Sequence, residues 1–138
     1  MIRIMEKKEQ EREVEESIIR LEFEKKVMAR AKRTYEDTVC ELEKKKKEAE
    51  EHYEKQKNNC ITEYIEAEKS GHDQNKKESY DRYVEIAKSE REDIQKQQKE
   101  IEKVNKEIKL LEINIERNEA RIKGNEARIR LVIMERRP

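Results

Sequence analysis

The sequence predicts an all-α protein folded as a long two-helix antiparallel coiled-coil hairpin with its turn near Gly71. The first observation behind this is a ladder of six isoleucines spaced by seven residues, the repeat of a coiled-coil strand. The second is the scarcity of helix breakers, because only two glycines and a final proline are present. The third is the composition, with 49% charged and 33% apolar residues. That apolar content is too low for a compact core but suits narrow seams between long helices.

The first helix is predicted over about residues 4–69. One row of its heptad positions is apolar and forms the predicted core on this side of the hairpin. Its members are Val14, Leu21, Met28, Tyr35 and Leu42. The other row is mixed, because it alternates Ile18 and Val39 with Lys25, Lys32 and Lys46. The helix therefore carries one strong and one weak row along its seam.

Residues 70–74 are predicted to form the turn. Gly71 stands where the helical pattern ends, and a glycine just past a helix end commonly adopts the left-handed conformation that caps it. Asn75, with Glu78 three residues later, resembles a capping box that opens a second helix. The heptad frame also slips by one residue between the two halves of the chain, which favours a break at this point.

The second helix is predicted over about residues 75–134. Its apolar row starts with Tyr80 and Ala87 and continues as the isoleucine ladder. The predicted core residues here are Ile94, Ile101, Ile108, Ile115, Ile122 and Ile129. Gly124 lies inside a heptad that repeats nearly letter for letter, so it is read as a helical glycine that costs about 1 kcal/mol.

Antiparallel pairing follows from matching the two rows. Folding the chain back at Gly71 pairs the leucine and isoleucine rows with each other, as in Leu21 with Ile122 and Leu42 with Ile101. A parallel, in-register dimer would instead stack each seam lysine on its own copy, which like charges disfavour. The 138 residues are therefore expected to form a single coiled-coil rod. A dimer of the hairpin, or an antiparallel swapped dimer of unbroken helices, remains an alternative.

Charge and motifs narrow the functional classes. The 34 basic and 34 acidic residues cancel, so no overall field attracts nucleic acid. The longest apolar run, residues 131–134, is far shorter than the ~20 residues that span a bilayer, and no signal peptide is evident. We therefore expect an intracellular protein, cytoplasmic or nuclear, without membrane association. The chain has no phosphate-binding loop, nucleophile motif or metal-ligand spacing, so we expect neither an enzyme nor a cofactor or metal.

Apolar residues outside the seam are the remaining functional signal. A predicted partner-binding stripe on the outer faces of both helices comprises Ile19, Phe23, Val27, Leu110 and Ile113. The open end, where residues 2–5 approach residues 131–134, either closes the hairpin or adds a docking surface. These features favour a structural, scaffold or assembly module that binds protein partners or itself. The alternative is a nucleic-acid-binding arm that uses the basic C-terminal end, and a steep loss of affinity with salt would identify it.

Overall fold

The protein is a helical hairpin, as the sequence predicted. This computed structural model describes the backbone of residues 2–136 and the side chains of residues 6–135. Helix α1 spans Ile2–Ser70 and helix α2 spans Asp73–Arg136, and the two pack against each other along the chain. Within the described residues there is no β-strand. The fold class is therefore all-α.

The turn is shorter than the predicted segment 70–74. Gly71 has a φ of 69°, and its N–H lies 3.3 Å from the carbonyl oxygen of Glu68. The N–H of His72 donates to the carbonyl of Ala67 at 2.9 Å, which completes a Schellman cap of α1. The His72 carbonyl accepts the first helical bond of α2, from Lys76 at 3.1 Å. Only Gly71 and His72 thus separate the two helices.

The predicted capping box does not start α2. Helix α2 begins at Asp73, two residues before Asn75, so Asn75 lies inside its first turn. Glu78 instead accepts a weak hydrogen bond from the amide of Gln74, at 3.4 Å. An acidic residue in the first turn is favourable because it faces the positive end of the helix dipole. Asp73 takes that place because the tight glycine cap leaves no loop for a later start.

The two glycines should respond to alanine with opposite signs. No atom would lie within 4 Å of a Cβ at either Gly71 or Gly124, so backbone conformation alone decides the outcome. Gly71→Ala forces an L-residue into the left-handed region and should destabilise the hairpin by about 1–2 kcal/mol. Gly124→Ala, the matched control, should stabilise it by about 1 kcal/mol because alanine is the better helix former. Urea unfolding followed by circular dichroism measures both, and equal signs would contradict the cap.

The chain forms two compact units, the first of which we call the terminal unit (residues 1–36 with 106–138). Val14, Leu21 and Ile122 are its buried apolar side chains among the described residues. Met28, Ile108, Ile115 and Ile129 are half-buried. Tyr35 is the exception in the predicted core row, because 37% of it remains exposed. Tyrosine is suited to such a partly exposed position because its ring is apolar and its hydroxyl is polar.

Two asparagines of α2 that lie between ladder isoleucines also have partners in the terminal unit. Asn118 is buried, and its side-chain amide donates to the Leu21 carbonyl at 3.2 Å. The amide of Asn125 lies 3.2 Å from the Ser17 hydroxyl. These bonds satisfy polar groups that would otherwise lose their hydrogen bonds to water on packing, so both asparagines are compatible with a closed seam.

The second unit, which we call the turn unit, comprises residues 37–105. Its most buried apolar side chain is Ile101, only 3% exposed, while Leu42 and Ile94 are half-buried. Near the turn the buried residues are small: Cys60 and Ala67 on α1 and Ser79 on α2. Tyr80, predicted for the ladder, is instead 60% exposed. Small residues let two helix backbones approach closely, and the neighbouring Ser79 takes the inner position.

The turn-unit seam also contains polar pairs. The ammonium of Lys46 donates to the Gln98 side chain at 2.8 Å, and Lys57 lies 2.8 Å from Glu90 Oε2. That carboxylate oxygen is inaccessible to water, so the lysine charge compensates for its lost hydration. Gln97 carries a second buried oxygen, which no described group hydrogen-bonds. This part of the seam is therefore held by charge pairing as much as by apolar burial.

Candidate functional site

The predicted partner-binding residues all lie on the surface of the terminal unit. Phe23, the only phenylalanine of the chain, is 66% exposed. Each of the other members, Ile19, Val27, Leu110 and Ile113, is exposed over roughly half or more of its surface. Burying large apolar side chains gains about 1.5–3 kcal/mol each, so this set offers a partner substantial binding energy.

Two adjoining depressions share Phe23 and Val27, and together we call them the Phe23 site. The first lies between the two helices, and its floor includes the half-buried Met28 and the buried Asn118. Its remaining lining residues are Glu24 of α1 and Asn114, Arg117 and Arg121 of α2. The second lies on the outer face of α1 and is lined further by Lys26, Ala29, Arg30 and Arg33. The site is thus apolar at its centre and polar at its edge.

The edge of the Phe23 site is strongly basic. It carries one carboxylate, Glu24, against five cations. The five are Lys26, Arg30, Arg33, Arg117 and Arg121. Among the described side chains none of the five forms an ion pair. By contrast, two lysines of the same unit are neutralised: Lys25 lies 3.2 Å from Glu119, and Lys32 lies 3.3 Å from Glu112. The edge of the site therefore carries a net positive charge.

The structure divides the predicted stripe. Phe23 and Val27 line both depressions, whereas Ile19, Leu110 and Ile113 are exposed but line neither. Sequence reasoning missed the α2 side of the site, where Arg117 and Arg121 stand one helical turn apart. Their signal was present as two arginines at a four-residue spacing beside the seam. That spacing did not indicate a site by itself, because the apolar residues beside the two arginines belong to α1.

A second apolar surface lies in the turn unit, and sequence reasoning did not predict it. It is a depression lined by Cys60, Ile61, Tyr64, Ser79, Tyr80 and Tyr83. Lys76 places its ammonium 5.3 Å from the centre of the Tyr64 ring, a cation–π contact. Of the nearby carboxylates, Glu63 pairs with Arg82 and Glu68 with Lys76, whereas Asp81 beside Tyr80 has no ion pair among the described side chains. This surface is therefore mainly aromatic, and most of the charges around it are paired.

Two groups in the turn-unit seam have shifted pKa values. The hydroxyl of Tyr53 donates to the Asp93 carboxylate, and this hydrogen bond raises the pKa of Tyr53. The hydrogen bond from Lys57 to Glu90 raises the pKa of Lys57, against a smaller opposing effect of desolvation. Both shifts move away from neutrality, so Tyr53 stays protonated and Lys57 stays charged at pH 7. Both groups therefore act as structural partners of carboxylates in the seam.

Other kinds of site find little support in the described part of the chain. Among residues 6–135, no three His, Cys, Asp or Glu side chains converge as metal ligands. None of the described helical segments has the length and apolar character needed to cross a membrane. At the open end, Leu131 and Met134 are exposed, while the side chains of residues 2–5 lie outside the described set. The Phe23 site is the best-defined candidate for binding.

Comparison with known proteins adds no relative. No protein-family model matches the chain, and neither a curated protein nor a solved structure is significantly similar to it.

Proposed function

We propose that this protein is a non-enzymatic coiled-coil scaffold or assembly module that binds a protein partner through the Phe23 site. The observation that carries the proposal is the exposure of Phe23 and Val27 at the centre of one site. Neither belongs to the heptad rows that close the seam, so hairpin packing does not account for them. An aromatic side chain in a depression, flanked by arginines, has the composition of an interaction hot spot.

The hairpin suits such a role because its seam and its surface are separate. Core residues such as Leu21 and Ile122 are buried between the helices, while the site faces outward. Long helices therefore hold the site on a rigid support without using its residues for stability. Helical partners dock on surfaces of this kind through apolar anchors spaced by three or four residues.

Phe23→Glu should abolish partner binding and leave the fold intact. The substitution places a charge at the apolar centre of the site, but Phe23 is too exposed to support the seam. We expect the unfolding free energy to change by less than about 0.5 kcal/mol, as for other surface substitutions. Binding is measured by quantitative capture on the immobilised 138-residue chain, with self-association followed by analytical ultracentrifugation.

Ile19→Glu is the matched control. Ile19 is as exposed as Phe23 and lies one helical turn away on α1, but it lines neither depression. It should retain the partners that Phe23→Glu loses. Equal capture by both variants would refute docking at this site, and a large drop in melting temperature for Phe23→Glu would show that the residue belongs to the core.

A further inference from the structure

We infer that the occupant of the Phe23 site is an acidic amphipathic helix of another protein. This inference rests on the proposed function and specifies the chemistry of its partner. A helix of this kind has an apolar stripe to cover Phe23 and Val27 and carboxylates beside it to face the arginines. Shape, charge and the elimination of other occupants support it in turn.

The geometry of the site has the period of a helix. On α1, Phe23 and Val27 stand one turn apart, and on α2 the same spacing separates Arg117 from Arg121. The depression between these two rows also reaches Met28 at the seam. A third helix can lie along such a depression, because ridges formed at four-residue spacing pack into grooves of the same spacing. The two-residue repeat of an extended strand would not match the spacing of either row.

The charge of the site selects acidic side chains. Five unpaired cations against Glu24 leave a net positive edge around the apolar centre. An apolar helix with basic flanks would bring like charges together at that edge, which disfavours binding. Arginines can also pair with carboxylates through two hydrogen bonds at once, which favours an acidic partner with defined geometry.

A second copy of this chain is a poorer occupant. Its other exposed apolar helix faces include that of Ile61, Tyr64 and Ile65 in the turn unit and that of Leu131 and Met134 at the open end. On the first face, Glu63 and Glu68 are already paired with Arg82 and Lys76, which leaves Glu66 as the carboxylate without an ion pair. At the open end Glu135 is paired with Lys7, so either face brings little negative charge to the Phe23 site. Nucleic acid fits the cations but leaves the aliphatic centre at Val27 and Met28 without a partner. An acidic helix uses both parts of the site.

Binding of two synthetic peptides to the 138-residue chain tests this inference. Both are 18-residue helix formers with the same leucine and phenylalanine stripe, one with glutamate and the other with lysine at every polar position. We expect the glutamate peptide to bind at least about tenfold more tightly in fluorescence anisotropy, and its affinity to fall with added salt. Phe23→Glu should abolish its binding.

Charge reversal on α2 supplies the residue-level check. Arg117→Glu with Arg121→Glu should reduce the preference for the glutamate peptide by about tenfold or more. Arg128→Glu with Arg130→Glu makes the same charge change on exposed arginines of α2 that do not line the site, and it should leave the preference nearly unchanged. Equal effects of the two double variants would show that only overall charge matters and would overturn the inference.

The remaining outcomes separate this inference from the proposed function. Equal or tighter binding of the lysine peptide would overturn the acidic helix, while loss of partner capture in Phe23→Glu would still support docking. Failure of both peptides to bind would likewise overturn the inference alone. A 20-nucleotide oligouridine that displaces the glutamate peptide would overturn it in favour of nucleic acid. Self-association lost in Arg117→Glu with Arg121→Glu would overturn it in favour of a second copy.

Discussion

Ile101→Asp should lower the unfolding free energy of the hairpin by about 4 kcal/mol or more. Ile101 is only 3% exposed, so its replacement loses nearly the full gain of burying the side chain. That loss is about 1.5–3 kcal/mol, and placing a carboxylate in an apolar layer adds its desolvation cost. Thermal and urea unfolding, followed by circular dichroism at 222 nm, measure the effect.

Ile113→Asp is the matched control for this prediction. It makes the same substitution on the same helix, but Ile113 is 46% exposed and lies outside the heptad rows. We expect a change within about 0.5 kcal/mol. If both variants lost the same stability, the isoleucine ladder would not be the side of α2 that packs against α1.

Asn118 should show opposite effects with two substitutions. Asn118→Asp removes the donor to the Leu21 carbonyl and sets a carboxylate against that oxygen, so we expect a loss of about 3 kcal/mol. Lys25 is already held by Glu119 at 3.2 Å, and Arg117 and Arg121, which line the same depression, are exposed and offset the buried charge only in part. Asn118→Leu should instead raise stability by about 1 kcal/mol, because an apolar side chain suits the seam. Urea unfolding of the two variants decides between these signs.

Asn125→Asp provides the control for the charged variant. Asn125 is only half-buried, and its partner is the Ser17 hydroxyl, which can turn to donate to a carboxylate. Its loss should stay below about 1 kcal/mol. A comparable loss at both positions would mean that the Asn118 bond has no special role.

Asn118→Leu should also loosen the alignment of the two helices. The bond to the Leu21 carbonyl holds one position of α2 at one position of α1, whereas an all-apolar row tolerates shifts along the seam. Spin labels at residues 22 and 121 should therefore give a broader distance distribution in this variant than in the parent. An unchanged distance distribution would show that ion pairs, such as that of Lys32 with Glu112, hold the two helices in alignment.

The amino-acid sequence by itself determined the fold class. Local periodicity is enough for this, because a seven-residue apolar repeat specifies a helix and the face that it buries. The left-handed cap at Gly71 is also a local property, because glycine adopts a positive φ readily just past the end of a helix. For the same reason the outward position of Phe23 could be read from its place off the seam rows.

Only the tertiary structure decided which residues form the Phe23 site. The depression joins Phe23 and Val27 of α1 to Arg117 and Arg121 of α2, residues some ninety positions apart in the chain. The alignment and rotation of the two helices decide which surface residues lie next to each other. The heptad pattern constrains only the seam positions, so it does not predict these neighbours on the surface. The burial of Ser79 instead of Tyr80 has the same origin. Close packing of the helices near the turn overrides the heptad frame predicted from either helix alone. Periodicity identifies the seam, and packing between the helices identifies the site.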